Sequence, residues 1–149
     1  MKMGHEAGLE MISEFWSCIS EKRWDDARKM LAPEFKAYWP QSNEKFKRDN
    51  FIEVNRTYPG THEIQIMNTW GEHDQWDRTD TIISEVFIKS KTPEGKEVEL
   101  TAISIFELED DGEYLIRSVR EYWADAYPVP AWRKHLSTPY DNRGTDVTR

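Results

Sequence analysis

The hydrophobic positions of the first twenty residues recur at helical spacing. Between Glu6 and Ser20, Leu9, Ile12, Trp16 and Ile19 fall three or four apart, with Met11, Phe15 and Cys18 on an adjacent stripe. A face that wide predicts a helix packed deeply against another layer. A shorter helix is predicted from Trp24 to Leu31, with Ala27, Met30 and Leu31 inward and Pro33 opposing its continuation. Phe35 to Trp39 reads as a short extended piece ended by Pro40. Asp49 is placed to cap a third helix whose face carries Phe51, Val54 and Tyr58, and Pro59-Gly60 closes it.

Beyond Gly60 the period drops to two. Over His62–Trp70, Ile64, Ile66, Asn68 and Trp70 alternate with Glu63, Gln65, Met67 and Thr69, and Gly71-Glu72-His73-Asp74 reads as a turn. Further strands are predicted at Thr79–Ser90, Glu97–Leu108 and Glu113–Ala124, separated by the hairpin loops Thr92-Pro93-Glu94-Gly95 and Asp110-Asp111-Gly112. Helices first and consecutive antiparallel strands afterwards make an α+β domain, a curved sheet with its helices on one face. The expected domain spans 1–136, and 137–149 is a polar, patternless tail.

The strand at Glu97–Leu108 sharpens this picture. Val98, Leu100, Ala102, Ser104, Phe106 and Leu108 share one face, while Thr101, Ile103 and Ile105 share the other. A sheet wetted on one side alternates apolar with polar, so an apolar middle on both faces calls for cover on both. The helices cover one face. A second subunit is the simplest cover for the other, and the expectation is a homodimer.

Charge and composition narrow the partners. A net charge of −8 and a pI near 5.1 oppose a nucleic-acid or anionic-membrane partner, since both need a basic face. No apolar run approaches a membrane span, and Met1 to Glu6 lacks the apolar core of a signal peptide, so the expected location is cytoplasmic. A single cysteine, Cys18, excludes an intrachain disulfide and reads as a small packing residue on its helix. Seven tryptophans in an otherwise polar chain favour an aromatic-rich core with a pocket, where large rings keep one edge polar.

Several local runs carry a resemblance. The two opening helices, Tyr38-Trp39-Pro40, the run from Asn43 to Phe51 and Asn55-Arg56-Thr57-Tyr58-Pro59-Gly60 resemble the nuclear transport factor 2-like superfamily, and within it the SnoaL-like, polyketide-cyclase-type branch. The run from Ile116 to Asp125, followed by Pro130-Ala131-Trp132-Arg133, is similar to that branch's last strand and tail. The resemblance spans roughly residues 8 to 134. It implies a cone, in which a strongly bent, mainly antiparallel sheet is closed by helices around one internal pocket, and dimers form through the convex sheet face. The superfamily holds isomerases, cyclases, dehydratases, epoxide hydrolases and non-catalytic members, so fold alone does not choose an activity. Ketosteroid isomerases use an aspartate base with a tyrosine and a protonated aspartate. Those positions overlay on Trp39, on Phe15 or Trp16, and on Ser104, none of which carries the needed group.

The same overlay points Ile83, Glu85 and Phe87 of one strand, and Val119, Glu121 and Trp123 of another, toward the pocket beside Ser104. Glu85 and Glu121 would then share an aromatic-lined cavity, where burial and a like neighbour raise a carboxyl pKa into the range of general acid-base work. The alternative is a strand phase shifted by one, or pairing of each Glu with Arg56, Arg78 or Arg117. Phe15, Tyr38, Trp39, Phe51, Tyr58 and Trp123 are the expected ligand wall, joined by Trp16 and Trp70. Ser104, Tyr38 and Tyr58 are the expected hydrogen-bond donors. No two of His5, His62, His73 and His135 have metal-ligand spacing, so no metal is expected, and His73 reads as a solvated turn residue. Two functions remain open. One is a cofactor-independent isomerase, cyclase, dehydratase or hydrolase acting on a small apolar or aromatic molecule. The other is a non-catalytic ligand-binding or dimeric interaction module.

Overall fold

A computed structural model describes residues 5–140. Three helices, α1 (His5–Ser20), α2 (Trp24–Lys29) and α3 (Arg48–Thr57), lie against a curved, unclosed six-stranded sheet. Its strands are β1 (Leu31–Trp39), β2 (Glu44–Lys47), β3 (Thr61–Asp74), β4 (Thr79–Lys91), β5 (Glu97–Asp110) and β6 (Tyr114–Asp125), in the order β2-β1-β6-β5-β4-β3. Every pairing is antiparallel except β1 with β6. The fold is the expected α+β cone. Of the expected tail, Ser137–Tyr140 is irregular, and residues 141–149 lie outside the described residues.

Several boundaries move for identifiable reasons. Leu31 is the first residue of β1, because Met30 accepts the Ile116 backbone N–H and the chain enters the sheet there. Pro33, which has no N–H to give, falls where the β1–β6 register shifts between Leu31 and Lys36. Asp49 sits in the first turn of α3 and does not cap it; its carboxylate accepts from Arg28 (2.8 Å) and Arg48 (3.2 Å). Gly71–Asp74 continues β3, and the reversal comes at 75–78, where Asp74 accepts the backbone N–H groups of Trp76 and Asp77.

The strand phases decide what faces the helices. Along β5 the helix-covered side carries Ala102, Ser104, Phe106 and Leu108, and along β6 it carries Val119 and Glu121, as the resemblance implies. On β4 the phase is the reverse of the expected one. Asp80, Ile82, Ser84 and Val86 point under the helices, and Ile83, Glu85 and Phe87 point away. The register Ser84↔Ser104↔Glu121 against Glu85↔Ile103↔Tyr122 fixes this, since a one-residue slip exchanges the faces. In β3 a bulge between Ile66 and Asn68 changes phase within the strand. His62, Ile64 and Ile66 lie on the covered side before it, and Thr69, Gly71 and His73 after it. Asn68 and Trp70 therefore face outward, apart from Ile64 and Ile66.

The core is aromatic. Phe15 meets Trp16 and Phe106 edge to face at 5.7 Å in each case, and Phe35 packs on Phe51 at 5.3 Å. Cys18 is buried in this core as expected, and burial raises its thiol pKa. At the N-terminal end of α1, buried Asp80 accepts from Tyr114 Oη and lies 2.5 Å from His73 Nδ1. His73 is thus held in a strand, not a turn, with its ring against a carboxylate and still partly exposed to solvent. Burial, and then Asp80 itself, push the Tyr114 hydroxyl pKa well above its usual value.

Tyr114→Phe keeps the ring and deletes one of the two bonds to a buried carboxylate. The expected loss is about 2 kcal/mol of unfolding free energy in urea titrations. A loss below about 0.5 kcal/mol would show that the bond contributes nothing net.

Candidate functional site

Ser84, Ser104 and Glu121 occupy adjacent positions on three neighbouring strands, a polar row across an otherwise apolar sheet face. All three are buried, so each requires a partner. Two tryptophans help to supply them. Trp16, on α1, donates its indole N–H to Ser84 Oγ at 3.0 Å. Trp39, at the end of β1, donates its indole N–H to Glu121 Oε1 at 3.0 Å, and Ser104 Oγ lies 2.8 Å from Glu121 Oε2. Trp39 is itself fixed by edge-to-face contacts with Phe46 and Trp123, each at 4.6 Å.

Glu121 and Trp39 border a cavity of about 150 Å³. A dry cavity of that size accommodates a benzene-sized molecule. Ile64, Ile88, Leu100 and Ala102 supply apolar wall, and Trp123 supplies an aromatic one. Burial pushes the Glu121 carboxyl pKa above its ordinary range, and the Ser104 and Trp39 hydrogen bonds pull it part of the way back. Burial therefore favours the neutral form of this carboxyl, which sits at the edge of the cavity.

The expected site residues separate into three groups. Trp39, Tyr58, Trp123 and Glu121 line the cavity, and Ser104 braces Glu121 from behind. Phe15 and Phe51 are buried in the aromatic core and are not part of the cavity wall. Tyr38 and Trp70, 40% and 50% exposed, stand on other surfaces. Glu85 is on the far face of the sheet, where Asn68 Nδ2 donates to it at 3.0 Å, so the two glutamates share no cavity. The error was one of phase: β4 is apolar on both faces, and its periodicity favours neither.

Sequence reasoning missed His62, Lys22 and Arg56 at this cavity. His62 had been set aside for lacking a second histidine, yet its place two residues past Gly60 was the available signal. Gly60 has φ +91°, and a Cβ there would lie 2.1 Å from the Lys91 carbonyl oxygen, so only glycine makes this turn from α3 into β3. The turn brings Tyr58 and His62 together on the cavity rim, their rings 5.6 Å apart. Among the described residues no group of three His, Cys, Asp or Glu is placed to hold a metal.

This architecture has close structural counterparts. A nuclear transport factor 2-like protein of unknown function from Burkholderia xenovorans LB400 superposes with a TM-score of 0.69 at 18% identity, covering 94% of this chain and 100% of that one. The chain has the nuclear transport factor 2-like fold. Hexachlorocyclohexane dehydrochlorinase LinA-type3 from Novosphingobium barchaimii LL02 superposes with a TM-score of 0.66 at 12% identity, covering 83% of this chain and 92% of that one. The beta subunit of benzoate 1,2-dioxygenase from Burkholderia mallei ATCC 23344 gives 0.65 at 14% identity, over 83% and 93%. Solved structures of this fold thus include both enzymes and subunits of larger enzymes. No family model and no curated protein matches the chain. No helix among the described residues is long and apolar enough to cross a membrane.

The raised pKa of Glu121 has a definite sign in stability. The folded state binds this proton more tightly than the unfolded chain, so there is no ionisation penalty while both states are protonated. Stability then falls as pH rises from the unfolded carboxyl value, about 4.3, through the higher folded value. Urea unfolding at pH 5 and pH 8 is expected to show a smaller decline for Glu121→Gln than for the wild type. Equal declines in the two proteins would show that Glu121 ionises normally.

Proposed function

We propose that this chain is a small-molecule pocket protein of the SnoaL-like type, catalysing cofactor-independent proton transfer on a ring-sized apolar substrate. The reaction class is isomerisation, cyclisation, dehydration or hydrolysis, with Glu121 as the acid-base group. One observation carries this reading. A buried carboxyl, held by Trp39 and Ser104 and shifted toward its neutral form, borders a cavity otherwise walled largely by apolar and aromatic groups. The resemblance to the SnoaL-like branch runs through β6, the strand that carries Glu121.

The chemistry follows from the geometry. Neutral Glu121 gives a proton to a substrate oxygen as charge develops there, and the resulting carboxylate is stabilised by the N–H of Trp39 and the hydroxyl of Ser104. In the reverse direction the carboxylate recovers a proton from carbon or from water. A non-catalytic binding module is favoured by a different observation: with Glu85 on the far face, Glu121 has no partner carboxylate in the cavity.

Exchange of α-protons for deuterium in ring-sized ketones such as cyclohexanone and 1-indanone, followed by NMR, separates the two readings. Catalysed exchange that falls by about a hundredfold in Glu121→Gln is expected. No catalysed exchange, or the same rate in the variant, would leave the binding-module reading.

The outer face supports a second copy of the chain as partner. Tyr122 is 44% exposed there, and the half-buried Ile83, Ile103 and Ile105 form an apolar strip across β4 and β5. Light scattering at micromolar concentration is expected to give a dimer, and Ile103→Glu to give a monomer. A monomeric wild type would sink the homodimer.

A further inference from the structure

His62 has an arrangement that acid-base chemistry at Glu121 leaves unused. Its Nδ1 is 2.7 Å from Ser90 Oγ on the paired strand, which sets the plane of the imidazole. Its Nε2 is buried and has no hydrogen-bond partner, the one such side-chain nitrogen or oxygen among the described residues. An unsatisfied buried polar atom is costly, and native structures rarely keep one without a reason. The imidazole lines the same cavity as Glu121. Tyr58 packs edge-on against it, is 44% exposed and caps the end of α3, so it is the neighbour free to turn aside.

The charges around the cavity are as informative as the orphan nitrogen. Apart from Tyr58, its ionisable lining groups are Lys22, Arg56, His62 and Glu121. Arg56 is paired with Glu53, but Lys22, held in a left-handed turn at φ 60° between α1 and α2, pairs with no carboxylate among the described residues. Glu121 is inclined toward its neutral form. A protein of net charge −8 thus has a cavity whose ionisable lining sets three nitrogen bases, Lys22, Arg56 and His62, against one carboxyl.

We propose that His62 Nε2 and Lys22 anchor an anionic oxygen, a carboxylate or phenolate, on a ring-sized apolar ligand of this cavity. The proposal rests on the pocket reading above and adds the ligand's chemical class. The rotatable Ser90 hydroxyl can accept from Nδ1–H or donate to Nδ1, so the ring can present Nε2–H to an anion in its neutral or its protonated form. The ring of the ligand would lie against the apolar wall, and its charge would remain near the cationic rim.

Benzoate and benzyl alcohol have nearly the same shape and differ in charge, so a matched NMR titration at pH 7 and low salt tests the proposal. The wild type is expected to bind benzoate on the order of tenfold more tightly, because a charge-assisted hydrogen bond is stronger than a neutral one. The His62 ring signals should move with benzoate. His62→Phe and, independently, Lys22→Gln should lower benzoate affinity toward that of benzyl alcohol. Equal binding of the two probes by the wild type, or an unchanged preference in both variants, would overturn the anion anchor while leaving the pocket reading standing. If neither probe enters the cavity, both readings fall.

Discussion

A carboxyl group under an indole organises the functional half of this molecule. Glu121 is buried on the covered face of the sheet, and among the described residues Trp39 and Ser104 offset the cost of taking it out of water. Both partners are in turn constrained. Trp39 is wedged between Phe46 and Trp123, and Ser104 sits in the middle of β5 with Ser84 beside it. Shifting any of these strands by one residue would separate the acid from its donors. The alignment of three strands is therefore a condition for the site to exist.

Burial has a second consequence. A large excess of acidic residues does not make a chain repel anions everywhere, because its field is not uniform. The acidic side chains are mostly solvated at the surface, where water and salt screen them. Inside the cavity one carboxyl, its pKa raised by burial, is accompanied by the nitrogen groups of Lys22, Arg56 and His62. Net charge describes the surface as a whole, whereas the cavity's own few groups describe what a molecule inside it would meet.

The fold explains how one frame can carry different chemistries. Helices cover one face of a bent sheet, and the strands that line the hollow each contribute a residue at alternate positions. Changing one inward residue alters the chemistry without altering the packing of the outer face. Sheet and helices make a container, and the inward positions of β6, β5 and the start of β3 give it a character.

Periodicity in the sequence determined the helices and the four long strands, while the covered faces of β5 and β6 came from the resemblance to a known family. That resemblance also brought Glu121, Trp39 and Trp123 forward as cavity residues. Periodicity could not phase β4, where Ile82, Val86 and Ile88 compete with Ile83 and Phe87 for the interior, so Glu85 was assigned to the wrong side. It could not foresee the bulge at Met67, since one extra residue leaves no trace in composition yet reverses every side chain after it. Lys22 is distant in sequence from Arg56 and His62, and the turn at Gly60 together with the closure of the helices over the sheet brings all three to one cavity. Alternation along a strand is a local property that the chain itself encodes. Which face is inside is decided by register with neighbouring strands, and that exists only once the chain has folded.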